Sequence, residues 1–263
     1  MPHNTIQTGS LSIGYLEPQK KVLHKDLSLC LSQGSFTALL GPNGCGKSTL
    51  MRSLSGSLSL LGGNVTIMDK PLHDYTPQLM ARTIAFVSTE RFSLDKTRVK
   101  DVVAMGRYPY TDFMGRLKNS DYEIIEESLS LVGMSAFAER FFNNLSDGEK
   151  QRVLIAKALA QQTPIVFLDE PTAHLDLPNR IKIMIMLRQM AYEKQKAILL
   201  STHELDLALQ MADTIWLMGK EKFICGEPKQ LVESGAFSEV FSDPNFTFVS
   251  KNGQLQIELK ING

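Results

Sequence analysis

The chain has 263 residues, and its 28 lysines and arginines balance its 28 aspartates and glutamates, so the formal net charge is zero. Apolar residues make up 43% and charged residues 21%, a globular composition that excludes a disordered or collagen-like chain. Because the charges balance, no overall field steers the protein toward nucleic acid or anionic lipid. The length suits one large domain, or a core with an appended subdomain.

Cysteine content and apolar stretches bear on the location of the protein. Cys30, Cys45 and Cys225 are too few for a disulfide framework and fit a reducing compartment. Residues 1–10 lack the apolar run of a signal peptide. The longest apolar stretches, such as 165–168 and 181–187 (which Lys182 interrupts), are far shorter than the roughly 20 residues that cross a bilayer. We expect a soluble intracellular protein that reaches a membrane only through a partner.

The first 54 residues predict strands, a glycine-rich loop and a helix. Residues 27–31 alternate apolar and polar side chains with the period of a strand. After Gly34, the apolar run 36–40 predicts a second strand that leads directly into the glycine-rich loop 41–46. A helix is predicted over 47–54. This order of elements is typical of an α/β domain.

Beyond residue 79 the pattern is helical at first and then alternates between strands and helices. A strand-like run at 83–88 precedes helical patterns at 99–105, at 122–132 and from Ser146 onward. Continuously apolar runs then indicate strands buried on both faces of a parallel sheet. These predicted strands are 165–168, 197–201 and 214–218, and the helices beside them are 180–192 and 204–212. The block from 90 to 160 therefore predicts a helical insertion into a helix-covered sheet.

The tail predicts a β-hairpin. Two alternating runs lie between residues 246 and 259, and Lys251, Asn252 and Gly253 join them. An Asn-Gly pair favours a type I′ turn between two strands.

The strongest local motif runs from Gly41 to Thr49 and matches G-x-x-x-x-G-K-[ST] between a predicted strand and a predicted helix. Its glycines allow consecutive N–H groups to point at phosphate oxygens. Lys47 supplies a mobile charge to the β- and γ-phosphates, and Ser48 can ligate Mg²⁺. A glycine-rich turn that merely caps a helix would look similar, but the context favours nucleotide binding. The predicted nucleotide-binding residues are Gly41, Pro42, Asn43, Gly44, Cys45, Gly46, Lys47, Ser48 and Thr49.

A second motif places Asp169 and Glu170 directly after the predicted strand 165–168. Ligands of open α/β sheets bind at the carboxyl ends of the strands. Asp169 is therefore predicted to hold the Mg²⁺ shell, and Glu170 to orient or deprotonate an attacking water. Taken alone, two acids after a strand would more often lie in a solvated loop. The phosphate loop in the same chain makes the functional interpretation the better one.

A third motif contains Ser146 and, three residues later, Glu149, the spacing of a capping box that opens a helix. By itself it predicts only a well-capped helix. The run Leu145-Ser-Asp-Gly-Glu149 lies after a phosphate loop and before an apolar strand that ends in Asp-Glu. In that order, the three motifs resemble those of ATP-binding cassette (ABC) ATPases, and the resemblance covers nearly the whole chain.

The resemblance implies a fold and a division of the chain. The expected fold is α/β, with a P-loop NTPase (RecA-like) core, an N-terminal antiparallel β subdomain and an inserted helical subdomain. Residues 1–88 and 160–263 would form the nucleotide-binding core. Residues 89–159 would form the helical subdomain that carries the signature motif.

The resemblance also implies roles for single residues. Tyr15 stands where an aromatic residue stacks on adenine, although a tyrosine at the end of a strand is more often a packing residue. Residues 173–176, which include His174, resemble the D-loop that crosses to a partner. His203 resembles the histidine that contacts the γ-phosphate, whereas a lone histidine after a strand is usually an ordinary polar residue. The implied catalytic residues are Glu170, His203 and Lys47, the implied metal ligands are Ser48 and Asp169, and Ser146, Gly148 and Glu149 would contact ATP.

Two positions depart from the family pattern. Where the family has a glutamine after the strand that precedes the helical insertion, this chain has Thr89 followed by Glu90, and either side chain could contact the Mg²⁺ shell. The signature motif has Asp147 in place of the usual glycine. A carboxylate there would repel a phosphate unless it turned outward or paired with a basic group. These departures concern coupling rather than family membership.

The resemblance implies several partners. Two copies of the chain would pack head to tail, with each ATP between one phosphate loop and the signature helix of the other copy. Two transmembrane permease subunits and, indirectly, a substrate-binding protein would complete the assembly, and no nucleic acid is expected.

Residues 101–116 indicate the type of transporter. With Gly106, Arg107, Tyr108, Pro109 and Tyr110, they resemble ATPases that drive uptake of iron–siderophore complexes, heme and vitamin B12, although an aromatic-rich turn would account for the same residues. We therefore expect the ATPase of such an importer, peripheral on the cytoplasmic face of the membrane, with Mg²⁺ as the cofactor of ATP. The alternatives are the ATPase of another ABC transporter and a soluble nucleotide-gated clamp.

Overall fold

Strands and helices alternate along the chain. The computed structural model describes residues 4–17, 19–88, 94, 96–173, 175–241, 245–251 and 253–259. The strands are β1 (Asn4–Tyr15), β2 (Lys21–Leu27), β3 (Cys30–Ser32), β4 (Phe36–Leu40), β5 (Gly62–Ile67), β6 (Lys70–Pro71), β7 (Ile84–Val87), β8 (Ile165–Asp169), β9 (Ala197–Ser201), β10 (Thr214–Met218), β11 (Phe223–Gly226), β12 (Phe246–Lys251) and β13 (Gln254–Leu259). The helices are α1 (Lys47–Leu54), α2 (Pro77–Thr83), α3 (Val99–Ala104), α4 (Asn119–Leu131), α5 (Asp147–Ala160), α6 (Leu177–Glu193), α7 (Leu205–Met211), α8 (Pro228–Glu233) and α9 (Ala236–Val240).

The central sheet is built from the apolar runs. Its strand order is β11-β10-β4-β9-β8-β7, and neighbours pair in parallel except β11, which is antiparallel to β10. Every residue of β4, β8 and β9 is buried, as a strand covered on both faces requires. The strands predicted from these runs are confirmed. The edge strand β11 is short and half-exposed, and it is not among the strands predicted from the sequence.

The N-terminal strands form an antiparallel sheet in the order β2-β1-β5-β6, with β3 paired to β1. The strand predicted over 27–31 is wrong, because β2 ends at Leu27 and β3 begins at Cys30. The side chain of Thr8 causes the break: its hydroxyl accepts the Leu29 N–H at 2.8 Å, while the Thr8 N–H donates to the Leu29 carbonyl at 3.0 Å. Asp26 also takes a left-handed φ of 55° just before the break.

Helices and the antiparallel sheet cover opposite faces of the central sheet. On one face, α5 and α6 pack against the sheet and α3 and α4 pack against α5, in one apolar cluster that includes Val102, Leu129 and Leu187. The other face packs against α1 and the antiparallel sheet, with Phe167 and Trp216 in its core. The predicted helical insertion is confirmed as helical, but the domain boundaries at 88 and 160 stay a prediction.

The C-terminal part packs against the face of the central sheet that β4 and β10 form. The predicted hairpin is confirmed by the antiparallel pairing of β12 with β13, whereas Asn252 of its predicted turn lies outside the described residues. Phe248 of β12 packs against Phe237 at 6.2 Å and Phe241 at 5.7 Å between ring centroids. Within the described part of the chain, no helix combines the length and apolar character that a membrane span needs.

Candidate active site

The loop between β4 and α1 owes its shape to its glycines. Gly44 and Gly46 have φ values of 76° and 112°, which residues with a Cβ rarely adopt. A Cβ on Gly41 would lie 2.1 Å from the Met218 carbonyl oxygen of β10, so only glycine fits there. Gly46 caps α1 without a side-chain hydrogen bond. The first N–H groups of α1 therefore have no side-chain acceptor from the cap and can face a phosphate.

Lys47 is held at the mouth of this loop. Its side chain is only 5% exposed, and its Nζ donates to the carbonyl oxygens of Gly41 at 2.9 Å and Pro42 at 3.3 Å. The same Nζ lies 3.8 Å from Oε1 of Glu170, which follows β8. The ammonium group is thus positioned by the backbone of the loop and faces the carboxylate of the second motif.

A cleft of 290 Å³ opens at this loop. Its rim includes Tyr15 at the end of β1, which is 44% exposed and whose hydroxyl is 2.7 Å from Oγ1 of Thr49. Lys21 and Leu23 of β2 also line the cleft, and nothing in the local sequence pattern predicts them. The full lining is Tyr15, Lys21, Leu23, Asn43, Gly44, Gly46, Lys47, Ser48, Thr49 and Glu170.

Ser201, at the end of β9, holds both acids of the second motif. Its hydroxyl donates to Oδ1 of Asp169 at 2.6 Å and accepts the Glu170 N–H at 3.0 Å. Glu170 has a left-handed φ of 47°, a conformation that costs about 1–3 kcal/mol and persists only where the surroundings impose it. Sequence reasoning missed Ser201, although it is the first polar residue after the apolar run of its strand and pairs in register with Asp169.

Three predicted catalytic residues meet at one oxygen atom. His203 Nε2 lies 2.6 Å from Oε1 of Glu170, the same atom that faces Lys47. His203 follows β9 and Glu170 follows β8, so both stand at the carboxyl edge of adjacent parallel strands. Glu170 is therefore held between a cationic lysine and an imidazole.

The predicted metal ligands have the chemistry that Mg²⁺ requires. Asp169 is buried, and within the described ranges no lysine or arginine nitrogen lies within 4 Å of its carboxylate. A buried carboxylate is normally paired with a cation or bound to a metal, and Mg²⁺ takes oxygen ligands together with phosphates and water. Ser48 places a hydroxyl in the adjoining cleft. Thr89 and Glu90, the other predicted candidates, lie outside the described residues.

The signature residues lie apart from this cleft. Ser146 caps α5, and its N–H and hydroxyl donate to Oε2 of Glu149 at 2.8 Å and 2.7 Å. These two bonds hold the pKa of the Glu149 carboxyl below its usual range. The predicted capping box is confirmed. However, Ser146, Gly148 and Glu149 are not among the residues that line this cleft.

The model of the ABC transporter family matches residues 24–173 of this sequence, the segment that contains the phosphate loop, the signature and the acidic pair. The chain belongs to the ABC transporter family. An uncharacterized ABC transporter ATP-binding protein of Methanocaldococcus jannaschii is 36% identical over 96% of this chain and 87% of its own length. The iron(3+)-hydroxamate import ATP-binding protein FhuC of Bacillus subtilis is 35% identical over 80% of this chain and 77% of its own length.

A solved ABC structure agrees with the fold. It shows an ABC transporter of metal-chelate type in an inward-facing conformation, and its matching chain superposes with a TM-score of 0.80 at 26% identity. The match covers 97% of this chain and 96% of the solved chain. The expected α/β cassette fold, with its antiparallel N-terminal sheet and inserted helices, is confirmed.

Two further features of this ABC chain concern the predicted loops. His174 of the predicted D-loop lies outside the described residues, whereas Asp176 caps α6 by accepting the Asn179 N–H at 3.0 Å. Sequence reasoning missed His24 of β2, whose buried Nε2 lies 3.1 Å from the carbonyl oxygen of Cys45 in the phosphate loop. Burial lowers the pKa of His24 and raises that of the Cys45 thiol.

Proposed function

We propose that this chain is the ATP-hydrolysing subunit of an ABC importer that takes up an iron–siderophore, heme or cobalamin complex. The observation that carries the proposal is the meeting of Lys47, Glu170 and His203 beside a phosphate loop. The substrate class is supported by the hydroxamate importer among the relatives and by the metal-chelate type of the solved transporter.

ATP binds in the cleft at the phosphate loop. The free N–H groups of the loop and of the first turn of α1 receive the phosphate oxygens, and Lys47 adds its charge. The half-exposed ring of Tyr15 stacks on the adenine. Ser48 and Asp169 would hold Mg²⁺, which would neutralise charge on the phosphate oxygens.

Hydrolysis depends on Glu170 as the base or orienting group for water. The imidazole of His203 fixes the rotamer of Glu170 and reaches the γ-phosphate. Lys47 stabilises the negative charge that develops on the transferred phosphoryl group. Removal of the γ-phosphate takes away the group that joins the two halves of the site.

The second half of the site comes from another copy of the chain. Ser146, Gly148 and Glu149 do not line the cleft of their own chain, and we place them against the ATP held by a partner copy. The N-terminus of α5 brings free N–H groups and a positive dipole end to the γ-phosphate. ATP therefore closes a head-to-tail dimer, and hydrolysis opens it.

This dimer works on two permease subunits at the cytoplasmic face of the membrane, and a substrate-binding protein delivers the cargo to them. The test is to purify the chain from membranes, reconstitute the complex in liposomes and measure uptake of a ferric hydroxamate, heme or cobalamin. We expect ATP-dependent uptake of one class, with Glu170→Gln lowering it at least about 100-fold. A purely cytosolic complex without multi-span subunits would instead support the soluble clamp.

A further inference from the structure

The segment Met105–Tyr110 forms a 3₁₀ turn that packs against the last turn of α5. Gly106 makes the closest approach, because a Cβ there would lie 2.2 Å from the carbonyl oxygen of Lys157 in α5. Only glycine allows the two backbones to come so near. The close contact with α5 thus explains why position 106 is a glycine.

Arg107 caps the C-terminus of α5. Arg107 is 6% exposed, and its Nη1 donates to the Ala160 carbonyl oxygen at 2.8 Å and to the Gln162 side-chain oxygen at 3.3 Å. Its Nε donates at 2.8 Å to Oδ1 of Asp121 in the first turn of α4. The final carbonyl groups of a helix lack partners within the helix, and a cation there also opposes the helix dipole. One arginine therefore joins the end of α5 to the beginning of α4.

Tyr110 completes this junction. Its ring lies 4.2 Å from the guanidinium of Arg107, and its hydroxyl donates to the Gln161 carbonyl oxygen at 2.9 Å. The Gln161 side chain in turn donates to the carbonyl oxygens of Ala81 at 2.6 Å and Ile84 at 3.1 Å, where β7 begins. We call Gly106, Arg107, Tyr110, Asp121 and Gln161 the α5 anchor. It fixes the end of α5 to both α4 and the central sheet.

The other end of α5 carries the signature. With 14 residues, α5 is about 21 Å long, so a tilt of about 5° at the anchor moves Ser146 by roughly 2 Å. A misplacement of about 1 Å can cost an enzyme a hundredfold in rate. The position of Ser146 therefore depends on contacts at the far end of its helix.

We propose that Arg107 is a positioning residue for ATP hydrolysis, which sets the angle of α5 and so the place of Ser146 against the ATP of the partner copy. This inference rests on the proposed function, because Ser146 meets ATP only in the head-to-tail dimer. Arg107 acts on turnover and on closure of the dimer. It does not act on the binding of ATP to a single chain, since the phosphate loop lies outside the anchor.

The first test compares Arg107→Gln with Arg116→Gln, which changes an exposed arginine that follows the segment in the chain. We expect Arg107→Gln to lower kcat about 10- to 100-fold while ATP affinity of the single chain stays within about twofold. Arg116→Gln should match wild type in both measurements. Wild-type kcat in a folded Arg107→Gln would overturn the proposal.

A second variant separates positioning from stability. Arg107→Gln leaves the Asp121 carboxylate buried without its cation, which should lower Tm by about 10 °C. The double variant Arg107→Met with Asp121→Asn removes that charge and keeps an acceptor for the Lys118 N–H, which Asp121 Oδ2 now accepts at 2.8 Å. We expect the double variant to regain most of the Tm but to keep the low kcat, because the α5 carbonyl groups stay uncapped.

Recovery of kcat together with Tm would overturn the positioning role. The proposed function has its own readout in the same series, namely ATP-dependent dimerisation and hydrolysis by the wild-type chain. If wild type fails there, the proposed function fails. If wild type succeeds and the double variant matches it, only the role of Arg107 fails.

Discussion

The carboxyl edge of the central sheet and the N-terminus of α5 both carry residues of the predicted site, but they are built differently. At the sheet edge, Lys47 and His203 both contact Glu170, the backbone of the loop holds Lys47, and Ser201 holds Glu170. At the helix, Ser146 and Glu149 contact each other and lie outside the cleft. The first region is assembled within one chain, whereas we propose that the second completes the site of another copy. We therefore expect a single chain to bind ATP and only a pair of chains to hydrolyse it.

The largest effect should follow from damage to the region assembled within the chain. Lys47→Ala removes a charge-assisted bond to phosphate, so the Kd for ATP should rise about 10- to 100-fold and turnover should fall at least about 100-fold. Isothermal titration and a phosphate-release assay measure the two quantities. Lys21→Ala, at an exposed lysine that lines the same cleft, is the matched control and should change Kd less than about fivefold. Equal losses in the two variants would contradict the special role of Lys47.

A smaller and more selective effect is expected at the region presented outward. Ser146→Ala removes the cap of α5, at a cost of about 1 kcal/mol in the free energy of unfolding, and should lower turnover about tenfold without changing the ATP affinity of the single chain. Thr76 caps α2 in the same way, by accepting the Leu79 N–H at 3.2 Å. Thr76→Ala should therefore cost similar stability in urea unfolding but leave turnover intact. A parallel drop in turnover for both variants would remove the distinction between the two regions.

The smallest effect is expected at His24, which contacts the Cys45 carbonyl oxygen of the phosphate loop. Burial lowers the pKa of His24 below the ordinary 6.5. The imidazole therefore binds a proton less readily in the folded chain than in the unfolded chain. The stability tied to neutral His24 is present above pH 6.5 and is lost as pH falls toward the lowered pKa. His24→Gln keeps an N–H donor for the Cys45 carbonyl but does not titrate. Urea unfolding at pH 7.5 and 5.5 should therefore show a larger loss of stability in wild type than in His24→Gln, and equal losses would contradict this role.

Features encoded within one segment were accessible from the sequence. The helix over 47–54 has its predicted bounds because a glycine loop fixes where it begins and the apolar pattern fixes its buried face. The strands Ala197–Ser201 and Thr214–Met218 also have their predicted bounds, because a continuously apolar run suits a strand covered on both faces. The common sheet edge predicts the proximity of Glu170 and His203, while their roles stay predictions.

Features that depend on contacts between distant segments were not accessible. The alternation over 27–31 predicts one strand, but a hydrogen bond from the Leu29 N–H to the Thr8 hydroxyl divides it. His24 sits in a strand of mixed polarity, and only the fold brings it under the phosphate loop. Arg107 belongs to a motif that suggests a type of transporter, whereas the structure shows its side chain at the end of α5.

We propose that a second copy of the chain completes the site. Light scattering of Glu170→Gln, which should bind ATP without hydrolysing it, tests this through the mass of the particle. We expect the mass of one chain without nucleotide and twice that mass with Mg-ATP. We also expect Ser146→Arg in the same background to bind ATP equally but to keep the mass of one chain. A single-chain mass for Glu170→Gln saturated with ATP, or undiminished dimerisation when Glu170→Gln is combined with Ser146→Arg, would show that the second copy does not complete the site.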